Sequence, residues 1–392
     1  MIGRLLEDAA LMSAAEKAHA ARDPAEVIAR VAWNVIAEPG DGVAGALIGE
    51  LGAIEALRVA VDPGAALIPP GAGGRALEEG FRRWRPRMSK DAVDDALRGA
   101  ASARARLVLP GDEEWPDAAD DLGVHAPSML WVRGDAELLR ADSRVAIVGA
   151  RASSGYGDMI AAEFAGDLAA SGTVIVSGGA YGIDGAAHRA ALGVEGPTVA
   201  LLAGGVDRPY PQGHRDLLHR IAERGAVVSE VPCGTAPTKW RFLSRNRMIA
   251  ALGRATVVVE AGWRSGSINT AGHAAALGRP LGAVPGMVTS ASSAGCHRLL
   301  REYDARCVTT TAEVRELWQS ELPPPASSAG GGNPDQTRLL DALSTRTAVP
   351  VLELARRSGL APDRIVAMLG LLELEGIVQR AGSGWRRTSG GA

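Results

Sequence analysis

The sequence has 392 residues, of which 46% are hydrophobic, and a formal net charge of −3. This length exceeds the usual size of one domain and this composition can bury a sizeable core, so we expect a globular protein with more than one domain. No apolar run is long enough to cross a bilayer, and acids stand where a secretion signal would be basic and then apolar, which predicts a cytoplasmic protein without a membrane partner.

Charge is distributed unevenly along the chain. Residues 1–142 contain 16 Lys+Arg against 24 Asp+Glu, whereas residues 235–306 contain 10 against 3. A local excess of arginine over acids is what a polyanion partner requires, even in a protein whose net charge is slightly negative. The overall charge therefore does not exclude nucleic acid.

The first hundred residues are predicted to be helical. Apolar residues recur at helical spacing in residues 25–38 and 45–60, and the sequence PGDG at residues 39–42 separates the two segments. We expect residues 1–100 to form a helical domain of the SAM or helix-hairpin-helix type. Because this region is acidic, we assign it no binding role.

A regular alternation of strands and helices follows and predicts an α/β core over residues 106–320. Short apolar strands separated by amphipathic helices indicate a parallel sheet covered on both faces, with ligands at the carboxyl ends of the strands. The predicted strands are residues 145–149, 173–177, 198–203, 226–230, 256–260, 281–286 and 307–310.

The end of the chain is predicted to be a separate small module. Residues 321–334 are rich in proline, serine and glycine and are expected to be a flexible linker. In residues 335–388, three amphipathic helices, the third over residues 362–380, and a short β pattern ending at Arg387 resemble a winged helix. The third helix carries Arg364 but also Glu373 and Glu375, so contact with protein and contact with DNA both stay open.

Glycine-rich turns follow several predicted strands. The turns at residues 177–188 (SGGAYGIDGAAH) and 260–274 (EAGWRSGSINTAGHA) each lead into a predicted helix. Such turns hold phosphates with unpaired backbone N–H groups and the helix dipole. Residues 149–157 lack the G-x-G-x-x-G spacing of a dinucleotide site, and the chain has no G-x-x-x-x-G-K-[ST] motif for ATP. In the first of the two turns, Asp184 is expected to cap a helix and His188 to pack in the interior.

Between these turns lies a segment dense in cations and aromatic residues, KWRFLSRNRMIAAL at residues 239–252. Cations hold phosphates while aromatic rings stack on unpaired bases, which is typical of single-stranded nucleic-acid binding. The alternative is that Trp240 and Phe242 belong to the hydrophobic core. Three widely spaced cysteines (Cys233, Cys296 and Cys307) indicate neither a disulfide framework nor a metal site.

Over residues 106–311, six motifs in the same order make the chain similar to the DNA-processing family called DprA or Smf. They are VGARASSGYG, SGGAYGIDGAAHRAAL, LAGGVDRPYPQGHRDL, SEVPCGTAPTKWRFLSRNRMIAAL, VVVEAGWRSGSINTAGHAAALGRPLGAVPG and SAGCHRLL. The resemblance implies an extended Rossmann-like core that binds single-stranded DNA, forms a homodimer and loads the RecA recombinase during natural transformation. It implies no catalytic residue, cofactor or metal.

Carried over motif by motif, the resemblance implies a DNA-binding site. Replacing Arg151 or Arg247 with alanine is expected to weaken DNA binding and to flatten its dependence on salt concentration. The family's usual leucine, proline and two asparagines are replaced by Gly179, Leu243, His214 and His297, which leaves the fine base contacts open. The implied DNA-binding residues are Gly149, Arg151, Ser177, Gly178, Gly182, Lys239, Arg245, Asn246, Arg247, Ser265, Gly266 and Ser267.

Two alternatives belong to other functional classes. Related Rossmann-like phosphoribohydrolases cleave nucleotides with a glutamate after a glycine turn, but here Gly272 and His273 stand in that neighbourhood, so a hydrolase would lack its base. A regulatory protein that senses a small nucleotide is the other alternative.

Overall fold

A nine-stranded sheet organises the larger part of the chain. The computed structural model describes residues 5–62, 74–319, 334–374 and 376–388, and the chain divides into two compact units, residues 1–320 and 321–392. The strands of the sheet are β1 Arg106–Val108, β2 Leu130–Gly134, β3 Arg144–Val148, β4 Val174–Ser177, β5 Thr198–Leu202, β6 Ala226–Ser229, β7 Ala255–Val258, β8 Leu281–Ala283 and β9 Arg306–Cys307.

The strand order creates a natural place for a ligand. The order is β1-β2-β6-β5-β4-β3-β7-β8-β9; β1, β2 and β6 pair antiparallel and all other pairs are parallel. From β3 the chain builds the sheet through β4, β5 and β6, and then returns to the other side of β3 with β7. This reversal leaves a crevice beyond the carboxyl ends of β3 and β7, where open α/β sheets bind ligands.

Helices cover both faces of the sheet, because alternate residues of each strand point to opposite sides. Val145 and Ile147 of β3 join one buried cluster, and Ala146 and Val148 join the other. The helices of this part are α6 Gly155–Ala170, α7 Ile183–Gly193, α8 Arg215–Arg224, α9 Lys239–Leu252, α10 Gly266–Ala276, α11 Ala294–Glu302 and α12 Thr311–Glu316. The predicted α/β class with a mostly parallel sheet is thereby confirmed.

The N-terminal residues are helical and pack against the same unit. Their buried cluster combines Trp33 and Trp84 with Trp131 of β2 and Leu217 of α8. The rings of Trp33 and Trp84 meet edge to face at 5.1 Å between centroids. The helices are α1 Ala9–Ala18, α2 Pro24–Ile36, α3 Gly42–Val61, α4 Arg75–Trp84 and α5 Lys90–Ala103.

The second unit has its own small core. Helices α13 Pro334–Ala342, α14 Val351–Ser358 and α15 Pro362–Leu374 precede the antiparallel strands β10 Val378–Ala381 and β11 Gly384–Arg387. The third helix was predicted through residue 380 but ends at Leu374, because the chain turns at Gly376 with φ +73° and then pairs as a strand. This order of elements matches the predicted winged-helix module. The predicted linker lies outside the described residues except for Pro334.

None of the helices among the described residues combines the length and apolarity needed to cross a membrane.

Candidate nucleic-acid interface

A cavity of about 610 Å³ lies in the crevice beyond β3 and β7. The turn after β3, residues 149–152, forms one wall, and the segment after β7 forms another through Gly262 and residues 265–267. Side chains of α9 close the cavity, among them Phe242, Arg245 and Asn246. Seven of the twelve predicted site residues line it: Gly149, Arg151, Arg245, Asn246, Ser265, Gly266 and Ser267.

The N-terminus of α10 provides a polar, partly positive wall. Ser265 caps this helix, and its hydroxyl lies 2.7 Å from the hydroxyl of Ser267. The first backbone N–H groups of a helix have no partner within the helix, and the helix dipole adds partial positive charge at the same end. This wall therefore suits an anion such as a phosphate.

Two arginines and one aromatic ring form the opposite wall. The guanidinium carbon of Arg151 lies 4.8 Å from the ring centroid of Phe242, and that of Arg245 lies 5.8 Å from the same centroid. Burial lowers the pKa of Arg245 to about 10, although the nearby carboxylate of Asp184 opposes this shift. Arg245 therefore keeps its charge at neutral pH, and the cavity combines two cations with an aromatic surface.

Arg245 is held in place by backbone oxygens. Its Nη1 donates to the carbonyl of Gly178 at 2.8 Å and also to the carbonyl of Leu201. Asn246 donates through Nδ2 to Oδ1 of Asn269 at 3.2 Å. These contacts link α9 to the ends of the neighbouring strands and to α10, so the cationic wall is fixed before any ligand binds.

In the glycine turn at residues 177–188, Asp184 occupies two of the backbone N–H groups. Its Oδ2 accepts from the backbone N–H of Gly178 at 3.0 Å and of Ala180 at 3.4 Å. Burial raises the pKa of Asp184. The carboxylate thus takes the position that the sequence assigned to a phosphate.

Three predicted site residues of this turn pack next to the cavity but do not line it. The Ser177 hydroxyl donates to the carbonyl of Ile147 at 2.6 Å, and the Cα of Gly178 packs against the guanidinium of Arg245. Gly182 has φ +73°, and a Cβ there would lie 2.2 Å from the carbonyl oxygen of Ala150. These residues shape the neighbouring turn rather than line the cavity.

Arg247 and Lys239, also predicted for the site, lie elsewhere on α9. Arg247 is buried and makes a two-pronged ion pair with Glu230, with N–O distances of 2.7 and 2.6 Å, while its Nε donates to the carbonyl of His125. Lys239 is exposed at the start of α9, with its Nζ 5.7 Å from the ring of Trp240. Trp240 is 72% exposed, so it is not a core residue.

Glu260 was not predicted as a site residue, yet it joins the two turns that line the cavity. Its carboxylate accepts from the backbone N–H and the hydroxyl of Ser154, both at 2.8 Å, and its carbonyl accepts from the N–H of Ala150 at 2.6 Å. The signal in the sequence was an acid at the end of a strand, directly before a glycine turn. This buried carboxylate fixes the spacing of the turn that carries Arg151.

An ion pair connects α9 to the N-terminal helices. Arg241 donates from Nε and Nη2 to Glu38 at 2.8 and 2.9 Å, and Arg87 lies 2.8 Å from the same carboxylate. Burial alone would raise the pKa of Glu38, but these two arginines outweigh it and lower the pKa below its ordinary 4.5. The contact therefore depends on Glu38 staying ionised.

Changing Glu38 to glutamine is expected to lower the free energy of unfolding at pH 7 by about 0.5–1 kcal/mol, because the pair is half exposed and solvent screens it. A lowered pKa contributes stability above the ordinary value and loses it as pH falls through the folded value. The difference between wild type and variant should hence shrink from pH 7 to pH 3 in urea unfolding. Glu137→Gln, an exposed acid outside any ion pair of the described residues, serves as control, and a pH-independent difference would contradict the expectation.

Comparison with known proteins places this chain in a family. The model of the DNA recombination-mediator protein A family matches residues 106–319, and that of the DprA winged helix domain matches residues 323–384. A putative DNA processing protein DprA of Mycobacterium tuberculosis is 44% identical over 323 residues, 78% of this chain and 83% of that protein. Protein Smf of Escherichia coli is 35% identical over 289 residues, 71% of this chain and 77% of that protein.

Solved structures agree with these matches. The DNA processing protein A structure from Streptococcus pneumoniae covers 76% of this chain and 98% of its own, with a TM-score of 0.59 and 29% identity. The structure of DNA processing protein A from Helicobacter pylori, described with a unique single-stranded DNA binding mode, covers 56% of this chain and 99% of its own, with a TM-score of 0.51 and 29% identity. Because the family model spans more than half of the sequence, the chain belongs to the DNA recombination-mediator protein A family, DprA/Smf.

Proposed function

We propose that the cavity beyond β3 and β7 binds single-stranded DNA. The observation that carries the proposal is the meeting of Arg151, the ring of Phe242 and the N-terminus of α10 in one cavity. The arginine and the helix end neutralise phosphates, and the ring offers a surface on which an unpaired base stacks. In a duplex the faces of the bases are already stacked on one another, so the single strand is favoured.

The relatives support this ligand. The Helicobacter pylori protein is described with a single-stranded DNA binding mode, and the Mycobacterium tuberculosis protein that matches most of the chain is named for DNA processing. In this chain Arg151 and Phe242 stand in the matched region. The proposal thus joins the ligand named for one relative to a cavity whose chemistry suits it.

We further propose that the protein acts as a cytoplasmic homodimer that loads the RecA recombinase onto incoming single strands in transformation and recombination, without catalytic turnover. The family description as a recombination mediator supports this role. Asp184, which lines the cavity, accepts from backbone N–H groups, and Glu260 accepts from Ser154. Neither is free to act as the base of a nucleotide hydrolase.

The test is the affinity of the full chain for a single-stranded oligonucleotide and for the matching duplex, at about 50 and about 200 mM salt. Tight binding of the single strand that weakens steeply with salt, and weaker binding of the duplex, is the expected result. Equal affinity for both forms would contradict the proposal. In the same preparation AMP should neither compete with the oligonucleotide nor be hydrolysed; saturable AMP binding without DNA competition would favour a nucleotide sensor instead.

A further inference from the structure

The turn after β7 carries two exposed residues between residues that line the cavity. Gly262 and Ser265 both line the cavity, and the N–H of Ser265 donates to the carbonyl of Gly262 at 3.0 Å. Trp263 and Arg264 are therefore the two central residues of a tight turn whose ends face the cavity. Both are exposed, and the residues that flank them in the chain line the cavity.

Trp263 is contacted by a cation over its ring and is otherwise largely exposed. Its side chain is 51% exposed, although tryptophan is on average one of the more buried residue types. The guanidinium of Arg298 lies 5.2 Å from its ring centroid, and Arg298 is in turn held by Glu302 at 2.7 Å. The indole thus packs against a cation, and about half of its surface remains exposed to solvent.

Arg264 has no ion pair and no side-chain hydrogen bond with any residue in the described ranges. In contrast, most arginines of the N-terminal helices pair with acids, such as Arg30 with Glu26. A cation without a partner among the described residues, next in the chain to a half-exposed tryptophan, supplies the same two kinds of group that Arg151 and Phe242 supply in the cavity.

We propose that Trp263 and Arg264 form an outer subsite for a further nucleotide of the bound strand. The base next to the one in the cavity stacks on Trp263, and Arg264 neutralises the phosphate that joins the two nucleotides. The inference rests on the proposed function, since it extends the same strand beyond the cavity. Stacking and charge are insensitive to base identity, so the subsite lengthens the footprint without adding sequence preference.

The test compares Trp263→Ala, Trp263→Phe and Arg264→Ala in the full chain, with an oligothymidine of about 20 nucleotides. Trp263→Ala should lower the affinity for this strand by about 5- to 100-fold with an unchanged salt slope. Trp263→Phe should keep most of the affinity. Arg264→Ala should lower the salt slope by about 0.7.

Arg82→Ala, which removes an exposed arginine of α4, is the matched control, and thermal melting verifies that each variant is folded. Wild-type affinity and salt slope in both Trp263→Phe and Arg264→Ala, combined with wild-type affinity in Trp263→Ala, would overturn the subsite. A loss in Trp263→Phe as large as in Trp263→Ala would also overturn it, because stacking on the ring would then not account for the loss. If wild type does not bind the oligothymidine, the proposed function itself fails, which is a separate outcome.

Discussion

Replacing Arg151 with alanine is expected to lower the affinity for single-stranded DNA by about 10- to 100-fold, the range for losing one charge-assisted contact. Arg151 lines the cavity, lies over the ring of Phe242 and has no ion pair among the described residues, so its charge is available to a phosphate. The slope of log affinity against log salt should fall by about 0.7, because one fewer counterion is released. Titration of an oligonucleotide at several salt concentrations measures both quantities.

Arg151→Lys separates charge from shape. Lysine keeps the positive charge but lacks the planar guanidinium that stacks on an aromatic ring, so this variant should keep the salt slope and recover only part of the affinity. Arg82→Ala should behave like wild type in both respects. An Arg151→Ala variant with wild-type affinity and slope would remove Arg151 from the interface.

The sheet could be predicted because its parallel strands are short apolar runs separated by amphipathic helices. Strands β3 to β9 lie within about two residues of their predicted positions at their amino ends. The antiparallel pair β1 and β2 was not predicted, since these strands precede the regular alternation and a short apolar run does not reveal its pairing partner. The sequence also could not reveal that the N-terminal helices share a buried cluster with Trp131 and Leu217.

The sequence indicates which residue types lie near the candidate cavity, but not how their side chains are oriented. Arg245 and Arg247 are two residues apart on a helix, which separates their side chains by about 200° around the axis, so both cannot face one cavity. The structure turns Arg245 toward the cavity and Arg247 toward Glu230. Likewise, glycines at residues 177–182 predict an anion, but only the fold shows that Asp184 supplies it.

Replacing Glu230 with alanine is expected to lower the free energy of unfolding by about 3–5 kcal/mol, the usual loss when one partner of a buried ion pair is removed. The side chains of Arg247 and Glu230 are 6% and 7% exposed, so Arg247 would be left as a buried charge without its carboxylate. Chemical unfolding at pH 7 measures the loss. The effect should exceed that of Glu38→Gln several-fold. Glu38 is half exposed, so water can solvate the arginines that lose its carboxylate.

The double variant Glu230→Leu with Arg247→Met distinguishes charge from packing. Replacing both partners of a buried pair with apolar side chains of similar volume is often close to neutral, so the double variant should regain most of the stability that Glu230→Ala loses. It should also keep the wild-type salt slope for single-stranded DNA, since Arg247 points away from the cavity. A double variant that is stable but shows a salt slope lower by about 0.7 would instead place Arg247 at the DNA, as the motif resemblance alone implied. The two measurements together therefore decide whether Arg247 stabilises α9 through Glu230 or contacts the bound DNA.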